Sequence, residues 1–176
     1  IDDITSRYLA SFMWRTATSV SADAFISFLT KHPVDTDTLF RMLIENSTKE
    51  HHPLNAHFLH QLLFDKKLAV RDQLWTTYIN HLGSDDIRIF QLITYFDSGN
   101  RMGGLSHANT ELLLILLAWL LTSSNRFLRD KASKAAIELL KHDFTLCKPL
   151  LQHFEGVNDP YVAQRLYGIV FGACVK

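Results

Sequence analysis

The chain has 176 residues, and 47% of them are hydrophobic, which is enough for a sizeable core and argues against disorder. Eighteen basic residues balance eighteen acidic ones. This balance excludes a global electrostatic attraction to nucleic acid or to an anionic membrane. The two cysteines, Cys147 and Cys174, lack metal-ligand spacing, so we predict that they are reduced and that the protein is cytoplasmic.

The longest apolar run, from Leu112 to Leu121, is ten residues long, whereas a membrane-spanning helix needs about 20. The run therefore predicts a buried helix and no membrane association. No signal peptide opens the chain, which begins with Ile1. We interpret the chain as part of a longer polypeptide.

Apolar residues recur at helical spacing along nearly the whole chain. Ser21 is the predicted N-cap of the first marked helix and Pro33 is its stop, and Asp35 or Asp37 introduces the next helix. The same spacing recurs at Phe58, Leu59, Leu62 and Leu63, and again at Leu74, Trp75, Tyr78 and Ile79. A further helix is predicted over about residues 86–96. No alternating stretch is long enough for a strand.

A glycine-rich loop, residues 98–105, separates two possible sub-halves, 1–97 and 106–176. The loop lacks the Gly-Lys-Ser/Thr ending of a phosphate-binding loop and follows no strand, so it predicts no nucleotide site.

Three helices are predicted after the loop. The helix that contains the 112–121 run is apolar on all sides, and we expect it to lie between neighbouring layers. A helix with one charged face begins near Arg126. The last helix begins at Asp159 and Pro160, where a capping carboxylate precedes a proline at the first helical position.

Two arginine–aspartate pairs, Arg71-Asp72 and Arg129-Asp130, are the polar features that we single out. Adjacent helical residues point about 100° apart, so each arginine must reach a partner other than its neighbouring aspartate. We predict that such side chains tie one helical hairpin to the next; an arginine poised for phosphate or for a partner carboxylate is the alternative. The candidate structural residues are Arg71, Asp72, Trp75, Arg129, Asp130, Asp159 and Arg165.

No catalytic, cofactor-binding or metal-binding residue is predicted. His57 and His60 are three positions apart on a predicted helix, but no acidic ligand accompanies them at a defined spacing. No nucleophile elbow, zinc-protease motif or paired carboxylates stand out. Helical register assigns Trp14, Trp75, Trp119 and the twelve phenylalanines mostly to the core, whereas an exposed tryptophan would mark a binding surface.

A family resemblance is carried by the run Ser-Ser-Asn-Arg-Phe-Leu-Arg-Asp-Lys-Ala at 123–132, within 118–135, and by residues 157–162 and 165–167. These segments resemble the helical-repeat region of large bacterial STAND-type P-loop ATPases, which include the antiviral AVAST proteins. Residues 55–60 and 71–75 resemble a neighbouring part of the same region, so the likeness covers about residues 50–172.

The resemblance implies a conformational switch protein in which an ATPase module precedes this segment, an effector lies further upstream, and the helical array senses a ligand. The chain has no Walker motif, so ATP binding is assigned to none of its residues. The spacing of Asp159 and Arg165 also resembles that of HEAT repeats, although Gln164 stands where that pattern prefers valine.

The predicted fold is therefore an all-α, HEAT-like α-solenoid of stacked antiparallel helical hairpins, with about ten helices in one domain over residues 1–176. The predicted function is a non-catalytic scaffold or sensor that contacts a protein partner or other domains of the same chain, with its oligomeric state open. A nucleic-acid enzyme such as a DNA glycosylase is the alternative, and a dimerising helical module is a third possibility. The enzyme would need a concave basic stripe with an aromatic residue and a carboxylate at its centre.

Overall fold

The computed structural model describes residues 3–82, 87–97 and 104–175, and every regular element within these ranges is helical. The all-α prediction is thus confirmed for this part of the chain. Its α-helices are α1 (Asp3–Ser11), α2 (Ala22–Lys31), α3 (Thr36–Ser47), α4 (Ala56–Phe64), α5 (Leu68–Arg71), α6 (Thr77–His81), α7 (Ile87–Asp97), α8 (His107–Leu120), α9 (Arg126–His142), α10 (Cys147–Phe154) and α11 (Pro160–Val175). A π-helical stretch, Asp72–Thr76, joins α5 to α6 in one continuous helix, so the described ranges contain ten helices, in line with the number predicted.

Side-chain caps begin several helices where the sequence predicts them. The Ser21 hydroxyl accepts a hydrogen bond from the backbone N–H of Ala24, and the helix α2 that it caps ends at Lys31, ahead of Pro33. Asp35, rather than Asp37, caps α3: its carboxylate accepts from the backbone and the hydroxyl of Thr38. These bonds hold the pKa of Asp35 below its ordinary value.

The helix α8 lies at the centre of the molecule. Its residues 112–120, and the following Leu121, are all buried, and the helix contacts α3, α4, α9, α10 and α11. The prediction that this all-apolar helix is covered on every side is confirmed. Buried side chains from both sides of the glycine-rich loop form one cluster around it. Residues 98–103 of that loop, whose sequence predicts no nucleotide site, lie outside the described residues.

The helix α9 packs against α7, α8 and α11. One side of α11 is buried through Val162, Leu166, Ile169 and Ala173, whereas its opposite side is exposed.

The assignment of Trp14 to the core is wrong, because 76% of this residue is exposed. Trp14 lies in the turn after α1, where helical register no longer dictates which way a side chain points. No described helix is both long enough and apolar enough to cross a membrane.

Two glycines of α11 provide a matched test of its packing on α9. Gly168→Ala is expected to raise the free energy of unfolding by about 0.5–1 kcal/mol, because glycine disfavours a helix and no atom lies within 4 Å of the added Cβ. The Cβ added by Gly172→Ala would lie 3.0 Å from Cδ1 of Ile137 on α9. This change should therefore raise the free energy of unfolding by less than Gly168→Ala does, or lower it. Urea denaturation measures both, and equal gains would contradict the close approach at Gly172.

Candidate functional site

The buried guanidinium of Arg71 is the centre of a polar and aromatic network between the helical layers. Its side chain is fully buried at the end of α5, and Nη2 donates to the carbonyl of Asn158 and to Oδ2 of Asp159, each at 3.1 Å. The guanidinium also lies over the ring of Trp119, with Cζ 5.4 Å from the ring centroid. The carboxylate and the indole ring offset part of the cost of burying this charge, but Nε and Nη1 find no hydrogen-bond partner in the described part of the chain.

The carboxylate of Asp159 serves two elements at once. Its Oδ1 accepts from the backbone N–H groups of Tyr161 and Val162 and so caps α11, as the sequence predicts. Its Oδ2 accepts from Arg71, which is 88 positions away in the sequence. One side chain therefore both begins the last helix and fixes it to the first half of the chain.

Two tryptophans extend the network along α8. The indole Nε1 of Trp75 donates to the carbonyl of Trp119 and to the hydroxyl of Thr122, each at 3.1 Å. The indole Nε1 of Trp119 in turn donates to Nδ1 of His60, at 3.2 Å. Both indoles are fully buried, so each N–H has the partner that a buried donor requires.

The imidazole of His60 is held neutral inside this network. Burial is the main cause that lowers its pKa to about 4; His153 and His57 lower it further, and a backbone hydrogen bond with His153 acts in the opposite direction. Because Nδ1 accepts from Trp119, the ring proton lies on Nε2.

A second pair of polar residues lies beside His60, nearer the surface. Nε2 of His153 on α10 and Oε1 of Glu111 on α8 are 2.8 Å apart, and the ring of His57 is 5.4 Å from that of His153, between centroids. His57 itself is exposed, whereas His60 points inward. Across residues 3–82, 87–97 and 104–175, no group of three or more His, Cys, Asp or Glu residues is arranged to hold a metal ion.

The other candidate residues form a separate, more exposed group. Arg165 on α11 donates from Nη1 to Asp130 on α9 at 3.5 Å and from Nε to the hydroxyl of Tyr161. Arg129 donates to the carbonyl of Ser123 and lies over the Tyr161 ring, 5.4 Å from its centroid.

Asp72 belongs to neither group. Its carboxylate accepts from the hydroxyl of Thr76, one turn along the same helix, so the structure does not bring it to another hairpin.

The sequence also contained two signs of buried polar side chains, one at the candidate Arg71 and one at His60, which was not a candidate. Arg71 occupies the same stripe as Trp75, Tyr78 and Ile79, and a charged side chain on a buried stripe requires a partner of opposite charge. His60 likewise belongs to the buried stripe of α4. Nothing in the local sequence indicated that their partners are Asp159 and Trp119.

Comparison of the chain with protein-family models, with characterised proteins and with solved structures gives no significant match. The chemical capacity of the site therefore has to be judged from its geometry. Two surface grooves run along α11 and another lies beside α3, and none of the three is lined by His60, Arg71, Trp75 or Trp119. The network is thus arranged to join helices rather than to meet a ligand in those grooves.

Trp75→Phe is expected to lower the free energy of unfolding by about 2 kcal/mol, because the smaller ring leaves a void and both hydrogen bonds from Nε1 are lost. Trp14→Phe is the matched control, and its effect should stay within about 0.5 kcal/mol because Trp14 is exposed. Chemical denaturation of the two variants measures the difference, and equal losses would show that Trp75 has no special structural role.

Proposed function

We propose that the chain is a non-catalytic, HEAT-like helical-repeat module, a stack of antiparallel hairpins that acts as a scaffold or sensor through contacts with a protein partner or with other domains of its own chain. One observation carries the proposal: Arg71 pairs with Asp159 and His60 pairs with Trp119, so the side chains best suited to chemistry join helices to one another. Exposed aromatic residues on α11 provide a surface for contacts.

The parent protein that we propose is a cytoplasmic bacterial STAND-type ATPase that acts in antiphage defence. The sequence resemblance at 118–135 and at 157–167 supports this proposal. Both segments include the start of a helix, α9 and α11, and these two helices pack against each other as equivalent helices of neighbouring repeats would. The coding sequence upstream of this segment tests the parentage: a Walker A motif is expected there, and its absence would leave only a generic helical-repeat module.

Two assays on the chain itself test the scaffold proposal. No phosphate release from ATP is expected, and hydrolysis that follows the chain through every purification step would contradict a non-catalytic role. No retardation of duplex DNA is expected in a mobility-shift assay at low or moderate salt. Retardation that weakens steeply with salt would instead favour the nucleic-acid enzyme.

A further inference from the structure

The outer side of α11 is apolar and exposed. Tyr167, Phe171 and Val175 expose 65%, 69% and 67% of their surface. The exposed residues after the helix's first position form a set that we name the α11 face: Tyr161, Gln164, Tyr167, Gly168, Phe171, Cys174 and Val175. None of them is charged. The similarly apolar helix α8 is buried on every side, so α11 has the composition of a helix that another helix covers.

We propose that the α11 face docks a second copy of this chain, with the two α11 helices packed antiparallel about a two-fold axis. Five residues of the face follow the alternating spacing of three and four with which one helix packs along another: Tyr161, Gln164, Gly168, Phe171 and Val175. The proposal rests on the proposed function, because it names one partner for a contact-forming module.

The shape of this surface suits a second copy of the helix. Rows of side chains along one helix pack between the rows of another, and the spacing of the α11 face provides such rows. A two-fold axis sets the α11 face of one copy against that of the other. The grooves of about 540 Å³ toward α10 and about 460 Å³ toward α9 then lie at the margins of the contact.

The charges beside the face favour the antiparallel arrangement. Lys148 and Glu155 are both exposed and line the groove between α10 and α11, one at each end of α10. The start of α10 lies toward the end of α11, because the short loop 155–159 joins these two contacting helices as a hairpin. Antiparallel α11 helices therefore place Lys148 of one copy toward Glu155 of the other, and the two-fold axis generates this pair twice.

The available area is consistent with a dimer. Tyr161, Tyr167 and Phe171 together expose about 350 Å², from the usual area of aromatic side chains, and Val175 adds about 100 Å². A stable interface buries about 800 Å² on each partner. The walls of the two grooves supply the remainder, so the α11 face forms the apolar centre and the charged residues form the rim.

Sedimentation equilibrium over a series of protein concentrations tests the proposal. The wild-type chain should show a monomer–dimer equilibrium, and Phe171→Glu should raise its dissociation constant at least about thirtyfold, since it places two charges in the apolar centre. Trp14→Glu is the matched control: Trp14 is equally exposed but lies outside the α11 face, so the equilibrium should not change. Circular dichroism verifies that each variant is folded.

Charge reversal tests the arrangement independently of the apolar contact. Lys148→Glu should weaken the dimer about tenfold, because it sets like charges against each other at both ends of the interface. The double variant Lys148→Glu with Glu155→Lys restores opposite charges and should return to within about threefold of wild type.

A chain that stays monomeric at the highest concentration reached, or a dimer that Phe171→Glu leaves unchanged, would overturn the proposal. Failure of the charge-swapped double variant to recover would overturn the antiparallel arrangement. None of these outcomes bears on the ATP and DNA assays, so the dimer can fail while the scaffold function stands.

Discussion

Arg71→Ala is expected to lower the free energy of unfolding by about 3 kcal/mol, the largest effect of any single charged side chain that the structure places. The change removes two hydrogen bonds to the start of α11 and the cation–π contact with Trp119. It also leaves a cavity between the layers and removes the cation beside the Asp159 carboxylate. Urea denaturation followed by circular dichroism measures the loss.

Arg165→Ala is the matched control for this experiment. Arg165 also connects α11 to another helix through an aspartate, but about a third of its side chain and more of that of Asp130 are exposed. Solvent screens such a pair, so its removal should cost less than about 1 kcal/mol. If the two variants lose equal stability, the burial of Arg71 does not increase its contribution to the free energy of unfolding. The network around Arg71 is then not what holds α11 in place.

The second large effect is a loss of stability in acid that originates at His60. The unfolded imidazole has a pKa of about 6.5, whereas the folded one is lowered to about 4, with burial as the main cause. As the pH falls from 7 toward 4, His60 binds a proton in the unfolded state but stays neutral in the folded state, so the free energy of unfolding decreases. The full loss in the free energy of unfolding is about 3 kcal/mol and is reached near and below pH 4. Above about pH 7 His60 causes no loss.

His60→Asn isolates this contribution. The asparagine side-chain oxygen can accept from the Trp119 indole in place of Nδ1, but it does not titrate. The charged and titratable neighbours His57, His153, Glu111 and Asp65 are unchanged in the variant, so their effects cancel when the two stability–pH profiles are subtracted. The wild-type profile should fall more steeply between pH 6.5 and 4. Parallel profiles would contradict a buried, neutral His60.

Local features of the fold could be predicted from the sequence because their causes are local. Ser21 and Asp159 cap their helices through bonds to residues two or three positions away. The continuous apolar run of α8 left no face suited to water, which is why its burial was predictable. Trp14 was misplaced because the helix α1 ends before it, a boundary that periodicity alone does not fix.

The candidate site could be predicted only in part, since its partners are far apart in the sequence. Arg71 and Asp159 were both candidates, but their pairing depends on how α5 and α11 meet, and spacing along the chain contains no information on this. The π-helical stretch after Arg71 was also not predicted; it is a departure from regular helical periodicity. His60 and Trp119 each had a recognisable register but no local sign of the hydrogen bond that joins them.

The central claim is that the buried charged residues of this chain maintain its architecture. A double-mutant cycle on Arg71→Ala and Asp159→Ala tests this most directly, because it separates their mutual interaction from the loss of the α11 cap. We expect both single variants to be destabilised and a coupling free energy of about 2 kcal/mol between them. The claim would be contradicted if both single variants were at least as stable as the wild type and showed no coupling. Such a result is expected of residues that are kept for chemistry rather than for the fold.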